Sequence, residues 1–270
     1  MFFRRHREMR KIPKVYQDFY LHQYEFQCLE ILCSKDKVSV DVGSNIGAFT
    51  YKMAEYSKHT YCFEPNLYLI QLMNENFSKD NITSHGVALS DRNGSGVLYT
   101  PMHKRDQFFD ANLASLNKIN RTENIIEVGE EEIELRTLDS YKLENVGFIK
   151  VDVEGAEEAF LMGARETINN SKPNFIIEIE QRHLEEDINK VFNLFFDMDY
   201  SLFFHNESKL HDFEKFNLKE NQLDHLNQFN EIVPKVGTRD LERYINNFFA
   251  IHKSNLDTLY PKLKKFRFYK

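Results

Sequence analysis

Along the first part of the chain, segments with the apolar spacing of a helix alternate with short apolar runs that are typical of strands. Apolar residues within 19–33 recur at steps of three and four, which predicts a helix with one buried face. The β-branched run at 37–42 predicts a strand, and a tight glycine turn leads from it into a helix that continues to about residue 56. Residues 60–63 predict a second strand, and Pro65 is placed to open the next helix. Strands that alternate with helices in this way predict a parallel sheet with both faces covered.

The rest of the chain continues this pattern with two interruptions. Residues 82–100 predict a strand, a turn at 91–94 and a return strand. Residues 101–133 and 205–246 are polar without a clear period. We interpret the first of them as a long loop or irregular insertion, a kind of segment that is more often functional than idle. Four more strands are predicted, with a helix after each of the first two: 148–153, 175–179, 200–204 and 247–251.

Composition favours one globular domain. With 41% hydrophobic residues, including 24 Phe and 13 Tyr, the chain carries too much apolar surface to stay disordered. We predict a helical extension over 1–35, an α/β domain over 36–255 and a basic aromatic tail over 256–270. No apolar run reaches the roughly 18 residues of a transmembrane helix, and the start lacks the apolar stretch of a secretory signal. Three unclustered cysteines suggest neither a disulfide framework nor a zinc site, and they favour a reducing, cytoplasmic location.

The formal net charge of −7 is unevenly distributed. The first 14 residues carry a net +5 and the last 11 residues another +5, so the 245 residues between them hold −17. So acidic a body repels nucleic acid over most of its surface, and we expect no nucleic-acid partner. We interpret both basic ends as solvated termini, with contact to an anionic partner or a membrane surface as the alternative.

The strongest local motif runs from Asp41 to Gly47, between a predicted strand and a predicted helix. Gly43 and Gly47 let the backbone turn sharply and approach a ligand, and the N–H groups at the helix start favour an anionic group. The dinucleotide fingerprint Gly-x-Gly-x-x-Gly is not met, because Asn45 takes the place of its middle glycine. An acid at the base of the loop suits an ammonium or sulfonium better than a pyrophosphate, which favours S-adenosylmethionine over NAD. A plain turn between strand and helix is the alternative.

Glu64 closes the second predicted strand, 17 residues after Gly47. In doubly wound folds, a carboxylate at this position binds the ribose hydroxyls of a nucleotide. The structural alternative is an acid that stabilises the start of a helix through its dipole. The loop and the acid at this spacing together favour a nucleotide-type ligand more than either does alone.

Asp152 lies at the end of a predicted strand, where ligands bind in open α/β sheets. A carboxylate there is placed to ligate a divalent cation or to orient a substrate hydroxyl, and Glu154 and Glu157 are close enough in sequence to join it. Lys150 lies two residues earlier in the same apolar strand. A contact between Lys150 and a carboxylate is the structural alternative, since buried charges must be paired.

Glu178, Glu180 and His183 lie at the end of the next predicted strand, which we expect to neighbour the strand of Asp152. A neutral imidazole is a good general base near pH 7, so His183 is the candidate base and Asp152 the second candidate catalytic residue. In this hypothesis Glu178 and Glu180 orient His183 or share a cation with Asp152. The alternative is that His183 only starts a helix.

Taken together, these segments resemble the FkbM family of S-adenosylmethionine-dependent methyltransferases. The resemblance covers about residues 36–205 and the strand near Phe248, and its specific part is the Lys-x-Asp-x-Glu-Gly-x-Glu stretch over 150–157. The matching segments follow in order: 40–47, 63–66, 88–94, 136–139, 149–157 and 173–179.

The resemblance implies a class I (Rossmann-like) methyltransferase fold of the α/β class, with a mostly parallel seven-stranded sheet and an antiparallel last hairpin. It also implies O-methylation, often of sugar hydroxyls or natural products, and therefore a small-molecule or glycan acceptor. The residues implied to hold the methionine part of the cofactor are Asp41, Gly43, Asn45 and Gly47. Glu64 would hold the ribose, and Ser90 or Asp91 would lie near the adenine.

Two other functions stay open at this point. A binding module that keeps S-adenosylmethionine but has lost its chemistry is opposed by the intact Gly43, Gly47 and Glu64. An NAD-dependent oxidoreductase is opposed by the missing middle glycine. Residues 101–133, like the other segments that match no family motif, are expected to select the acceptor and to border its site.

Overall fold

The computed structural model describes residues 24–76, 79–104, 109–119, 124–206, 209–226 and 244–266. Within them, a large sheet of eight strands and a small sheet of three strands form the frame of the fold. The strands of the large sheet are β1 (Val38–Val42), β2 (His59–Phe63), β3 (Ile82–His85), β7 (Val146–Val151), β8 (Asn174–Glu178), β9 (Tyr200–Asn206), β10 (Lys209–Asp212) and β11 (Asn247–His252). Those of the small sheet are β4 (Ala88–Leu89), β5 (Gly94–His103) and β6 (Ile125–Arg136).

The large sheet runs in the order β10, β9, β11, β8, β7, β1, β2, β3. The five strands from β8 to β3 are parallel, so their carboxyl ends share one edge of the sheet. β11 runs antiparallel between β8 and β9. This order confirms the expected mostly parallel α/β sheet with an antiparallel end. It has eight strands rather than seven, because Lys209–Asp212 turns back on β9 as an edge strand that its polar sequence did not predict.

Helices cover both faces of the large sheet, and each face has its own apolar core. The alternation of side chains along a strand divides them: on β11, Phe248 faces one core and Phe249 the other, and both are fully buried. This explains why the strands are apolar nearly throughout. The helices are α1 (Tyr24–Gln27), α2 (Leu29–Leu32), α3 (Ala48–Tyr56), α4 (Leu67–Asn76), α5 (Glu157–Met162), α6 (Arg165–Ser171), α7 (Asn189–Asp197), α8 (Leu218–Asn221) and α9 (Leu256–Lys265).

Both ends of the described chain pack on the same core. Tyr24 of α1 is buried and donates its hydroxyl to the Leu263 carbonyl of α9 over 3.1 Å. The predicted helix at 19–33 is confirmed over 24–32 as α1 and α2, which meet at Cys28, and its first residues lie outside the described part. The predicted domain boundaries stay predictions. None of the helices in the described ranges is both long and apolar enough to span a bilayer.

The interpretation of 101–133 as one long loop was wrong at both ends. Its first residues continue β5 and its last residues belong to β6, and these two strands pair antiparallel over most of their length. β6 carries five glutamates, and only Ile133 and Leu135 of it are buried, so its sequence looks like that of a solvated loop. Residues 105–108 and 120–123 lie outside the described part.

Two further elements differ from the prediction. The predicted return strand of 82–100 is β5, but it pairs with β6 in the small sheet and not with β3. The single helix predicted after residue 154 is divided into α5 and α6 at Gly163. A Cβ atom at Gly163 would lie 1.9 Å from the Ser90 carbonyl oxygen, so the chain bends where this loop presses against it. Of the unassigned 205–246, the described part contains β10 and α8.

Phe175 tests the core between β8 and the helices on its face. Its side chain is fully buried and contacts the rings of Phe195 and Tyr200 at centroid distances of 5.2 and 5.6 Å. We expect Phe175→Ala to lower the free energy of unfolding by about 3–5 kcal/mol, because it removes apolar contacts and leaves a cavity. The control is Phe196→Ala on α7, where the ring is 41% exposed and the loss should be much smaller. Urea denaturation of both variants measures the difference, and equal losses would contradict this placement of the core.

Candidate functional site

A cavity of about 390 Å³ opens at the carboxyl edge of the parallel strands. The loop after β1 forms one wall, Glu64 and Pro65 after β2 form the next, and the small sheet closes a third through Ala88 and Leu89. A further wall carries the acidic residues Asp152 and Glu154, which follow β7, and Glu178, which ends β8. The parallel register explains this assembly, because strands that run in the same direction deliver their following loops to the same edge.

The loop after β1 lies against the end of β7 so closely that it requires glycine. Gly43 has φ +73°, and a Cβ atom there would lie 1.8 Å from the Asp152 carbonyl oxygen. Asn45 adopts a left-handed φ of 50°, and its side-chain oxygen accepts a hydrogen bond from the Ile46 N–H over 2.7 Å. Gly47, with φ 82°, then caps the start of α3. Gly43 and Asn45 line the cavity and Gly47 does not, and the predicted contacts of all three with a cofactor stay predictions.

Asp41 has a structural position instead of the expected place on the cavity wall. Its side chain is fully buried, and Oδ2 accepts a hydrogen bond from the Thr50 hydroxyl over 2.6 Å. Burial raises the pKa of this carboxyl, and the nearby Lys150 ammonium opposes that shift. Asp41 therefore ties β1 to α3, and its predicted contact with a cofactor stays a prediction.

Glu64 joins two loops and faces the cavity. Its Oε2 accepts a hydrogen bond from the Asn45 N–H over 2.9 Å, and its Oε1 accepts one from the Asn66 N–H over 3.0 Å. The residue is only 8% exposed, and burial raises the pKa of the carboxyl despite these two donors. A carboxylate offers about four lone-pair positions. Two remain for hydroxyl donors of a ligand in the cavity.

Ser90 and Asp91 lie beside the cavity rather than on its wall. Ser90 is buried, and its hydroxyl donates to Asp91 Oδ1 over 3.2 Å. Asp91 is exposed and pairs with Arg92 over 3.0 Å. The wall itself is formed by Ala88 and Leu89 just before them, which suits the apolar face of an adenine ring. The contacts expected for Ser90 and Asp91 stay predictions.

Asp152, Glu154 and Glu178 bring three carboxyl groups together on the acidic wall. Each offers an oxygen that lies within 4.8 Å of the others. Lys150 Nζ binds Asp152 Oδ2 over 2.8 Å, which is the ion pair expected as the structural alternative. Burial, Asp152 and Glu180 all raise the pKa of Glu178 well above its usual value. These groups can compensate a cation or accept hydroxyl protons, and a bound divalent cation stays a prediction.

Glu180 faces a different set of partners from the one predicted. Arg182 binds it through Nε at 2.6 Å and through its terminal nitrogen at 3.1 Å, and the Tyr244 hydroxyl also donates to it. Burial opposes ionisation, but a hydrogen bond with Glu178 and the Arg182 guanidinium lower the pKa of Glu180 to about 2. The sequence-based hypothesis grouped Glu180 with Asp152 and Glu178, but the third carboxyl group beside them is that of Glu154. Asn246 connects the two sets, since its Nδ2 lies 2.6 Å from Glu178 Oε1 and 3.3 Å from Glu180 Oε1.

His183 lies behind the acidic wall. β7 and β8 are parallel neighbours, as expected, so His183 and Asp152 follow adjacent strands. The His183 Nε2 atom lies 2.6 Å from Glu154 Oε2, which is an ion-pair distance, although the ring nitrogen is not aligned for a hydrogen bond. Glu154 lines the cavity and His183 does not. His183 therefore contacts a residue of the cavity wall, Glu154, without lining the cavity itself.

Sequence reasoning missed the residues that complete the walls. Ala111, Ala114 and Leu116 come from the segment between β5 and β6, and Glu25 comes from α1. The length of 101–133 and its position after the predicted return strand led us to expect that it borders the acceptor site, but small apolar residues carry no chemical signature of their own. Backbone hydrogen bonds between Tyr99 of β5 and Ser115 hold this segment beside β5.

Comparison with known proteins gives one family and several distant relatives. Residues 41–202, more than half of the chain, match the family described as "Methyltransferase FkbM domain". The 2-O-methyltransferase NoeI of Sinorhizobium fredii (strain NBRC 101917 / NGR234) is 26% identical over 158 residues, which are 54% of this chain. The match spans 65% of NoeI, slightly less than two thirds of that relative.

Two solved structures are similar at low identity. The methyltransferase FkbM from Methylobacillus flagellatus KT is 18% identical with a TM-score of 0.48, over 80% of this chain and 44% of that one. An rRNA methylase from Streptococcus thermophilus is 11% identical with a TM-score of 0.42, over 84% of this chain and 90% of that one. Both TM-scores are below 0.5, and neither likeness bears on the function of this chain.

Glu157 should make stability depend on pH. It is 2% exposed; its Oε1 accepts from the Gly155 N–H over 2.9 Å, and burial raises its pKa to about 7. The folded state thus favours the protonated acid, so this residue's contribution to stability falls as pH rises from about 4.5 to about 7. As pH rises through that range, we expect the free energy of unfolding of Glu157→Gln to increase relative to that of the wild type, by at most about 3 kcal/mol.

Denaturation of both proteins at pH 4.5 to 8 measures this effect. Glu158→Gln, one residue further along α5 and exposed, is the matched control and should show no such window. A stability difference between Glu157→Gln and the wild type that is constant with pH would contradict the raised pKa.

Proposed function

Because the chain belongs to the FkbM methyltransferase family, we propose that it is an S-adenosylmethionine-dependent O-methyltransferase that acts on a hydroxyl of a sugar, a glycan or a natural product. The observation that carries this proposal is the cavity itself, which has a glycine loop and Glu64 on one side and a group of carboxyl groups on the other. The similarity to NoeI, a 2-O-methyltransferase, supports the choice of an oxygen as the acceptor atom.

The charge of the cavity supports this cofactor over a dinucleotide. Among the residues that the structure describes, five carboxyl groups and a single ammonium line the cavity; the carboxyl groups belong to Glu25, Glu64, Asp152, Glu154 and Glu178. Such a lining repels a pyrophosphate and attracts a sulfonium or an ammonium. This opposes an NAD-dependent oxidoreductase.

The described residues offer a fitting site for each part of that cofactor. Gly43–Asn45 line the cavity where the amino-acid end would bind, and the absence of a Cβ atom at Gly43 lets this loop pack against the end of β7. The free lone pairs of Glu64 suit the ribose hydroxyls, and Ala88 and Leu89 suit the adenine. When bound, S-adenosylmethionine supplies a methyl group that is already activated on a sulfonium sulfur.

In this proposal the acceptor binds between the acidic wall and the segment with Ala111 and Leu116, which both line the cavity. The chain must align the acceptor oxygen and exclude water, which in ideal cases lowers the barrier by about 7–11 kcal/mol. In the proposed arrangement, the Glu154 carboxylate accepts the hydroxyl proton and His183 stabilises the Glu154 side chain from behind. His183 thus acts on the acceptor through Glu154.

Glu64 tests the cofactor assignment. We expect Glu64→Ala to weaken binding of S-adenosylhomocysteine by about 1.5–3 kcal/mol, the range for hydrogen bonds to a charged group. Titration calorimetry measures the affinity, and a thermal melt shows whether the loops that Glu64 joins still fold. The control is Glu75→Ala, an exposed glutamate on α4 that lies outside the cavity. Unchanged affinity in Glu64→Ala would remove the ribose assignment.

His183 and Asp152 test the chemistry of transfer. With labelled S-adenosylmethionine and a panel of carbohydrates, His183→Ala should lower the rate by less than the factor of about 10²–10⁴ that general-base catalysis contributes, because it removes the support of Glu154 and not the base itself, and should leave affinity for S-adenosylhomocysteine intact. His59→Ala, at the amino end of β2 on the opposite edge, is the matched control. If a cation at Asp152 does this work instead, a chelator and Asp152→Asn should each stop transfer.

A His183→Ala protein with the wild-type rate, indifferent to chelator, would contradict both versions of the chemistry. Binding of S-adenosylhomocysteine without transfer to any acceptor would favour a module that has lost its chemistry.

A further inference from the structure

Residues 109–117 form a strap that crosses from the small sheet to the acidic wall of the cavity. At one end of the strap, Tyr99 of β5 and Ser115 exchange backbone hydrogen bonds of 2.8 and 2.9 Å. Ala111, Ala114 and Leu116 of the strap line the cavity. The strap is therefore both a wall of the site and a mechanical link between the two sheets.

Two side chains at the end of the strap bind the loops that follow β7 and β8. The Ser115 hydroxyl donates to the Glu154 carbonyl over 2.6 Å and accepts from the Asn117 N–H over 3.0 Å. The Asn117 side-chain N–H group donates to the Gly155 carbonyl over 3.0 Å and to the His183 carbonyl over 3.2 Å. Ser115 is 5% exposed, so its own side chain is largely shielded from water, and Asn117 is half-buried. Two side chains thus bind three carbonyl groups on two loops.

The turn they hold has an uncommon backbone conformation. Glu154 has φ 45° and Gly155 has φ 95°, two successive residues in the left-handed region. A non-glycine residue such as Glu154 keeps this conformation only where its surroundings impose it. A Cβ atom at Gly155 would lie 2.4 Å from the His183 carbonyl oxygen and 2.7 Å from the Asn117 side-chain nitrogen. Asn117, the turn and His183 are thus packed with no room between them.

This turn carries the carboxylate that faces the acceptor. Glu154 lines the cavity, and its Oε2 lies 2.6 Å from His183 Nε2. The positions of both partners, Glu154 and His183, are held at the backbone by Ser115 and Asn117. We propose that Ser115 and Asn117 are positioning residues for methyl transfer, which couple the acceptor-side strap to the placement of Glu154 and His183. This inference rests on the proposed function.

Asn117→Leu is the variant that tests the proposal, because leucine keeps the shape of the side chain and removes both donors. The matched control is Asn81→Leu. Asn81 Nδ2 also donates to two backbone carbonyls, those of Ala54 and Ser57 at 2.9 and 3.4 Å, but near the end of α3 and outside the cavity. Ser115→Ala is a milder variant that removes only the bond to the Glu154 carbonyl and the acceptor for the Asn117 N–H.

We expect Asn117→Leu to lower kcat by about tenfold to 10²-fold, the scale of a displacement of about 1 Å in a catalytic group. Affinity for S-adenosylhomocysteine should stay within about twofold of the wild type, because the cofactor-side loops are untouched. Ser115→Ala should change kcat in the same direction by a smaller factor. Amide hydrogen exchange should accelerate in peptides that cover 152–158 and 181–185. Asn81→Leu should lower the melting temperature and leave kcat and these two peptides unchanged.

The outcomes separate this proposal from the proposed function. A wild-type kcat in Asn117→Leu, or a loss of kcat no larger than that of Asn81→Leu at equal loss of stability, would overturn the positioning role alone. A wild-type chain that binds no S-adenosylhomocysteine and methylates no acceptor would overturn the proposed function, and this proposal with it.

Discussion

The site depends on the contact between the loop after β1 and the end of β7. At Gly43 the two backbones approach until a Cβ atom would lie 1.8 Å from the Asp152 carbonyl oxygen. That approach brings the loop after β1 and the carboxyl groups near the ends of β7 and β8 to the walls of one cavity. Any side chain at Gly43 would push these walls apart, and the left-handed φ of +73° adds a conformational cost for other residues.

The pairing of buried charges also depends on the contact between β1 and β7. Lys150 is buried in the middle of β7, and a buried ammonium requires compensation. Asp152 and the fully buried Asp41 supply it, and they outweigh the effect of burial so that the pKa of Lys150 is raised. The second buried ion pair, Glu180 with Arg182, lies directly behind Glu178. Burial and the neighbouring Asp152 and Glu180 carboxyl groups raise the pKa of Glu178, and Glu178 in turn contributes to the raised pKa of Lys150.

The small sheet forms one wall of the cavity through Ala88, Leu89 and Leu98. β5 and β6 project beyond the central sheet, and the strap between them returns to the acidic wall. This part of the chain lies largely in solvent, so few of its residues are fixed by packing, and its sequence can vary without disturbing either core. The cofactor side, in contrast, is built from strand ends and a glycine loop whose backbone is tightly constrained.

The sequence alone determined the parallel α/β frame, the glycine loop, Glu64 and the acidic strand ends. Each of these features is visible within a single short segment of the sequence. A buried strand is apolar on both faces, and a sharp turn needs glycine. A charged residue beside an apolar strand can be recognised in the same way. Three features were decided only by the tertiary structure. Asp41 turned inward to Thr50, Glu154 joined the acidic group whereas Glu180, the other candidate, paired with Arg182, and the two ends of the polar stretch 101–133 became parts of β5 and β6. Their common physical reason is that a polar side chain takes its role from partners distant in sequence, and residue type alone does not say which partner it meets.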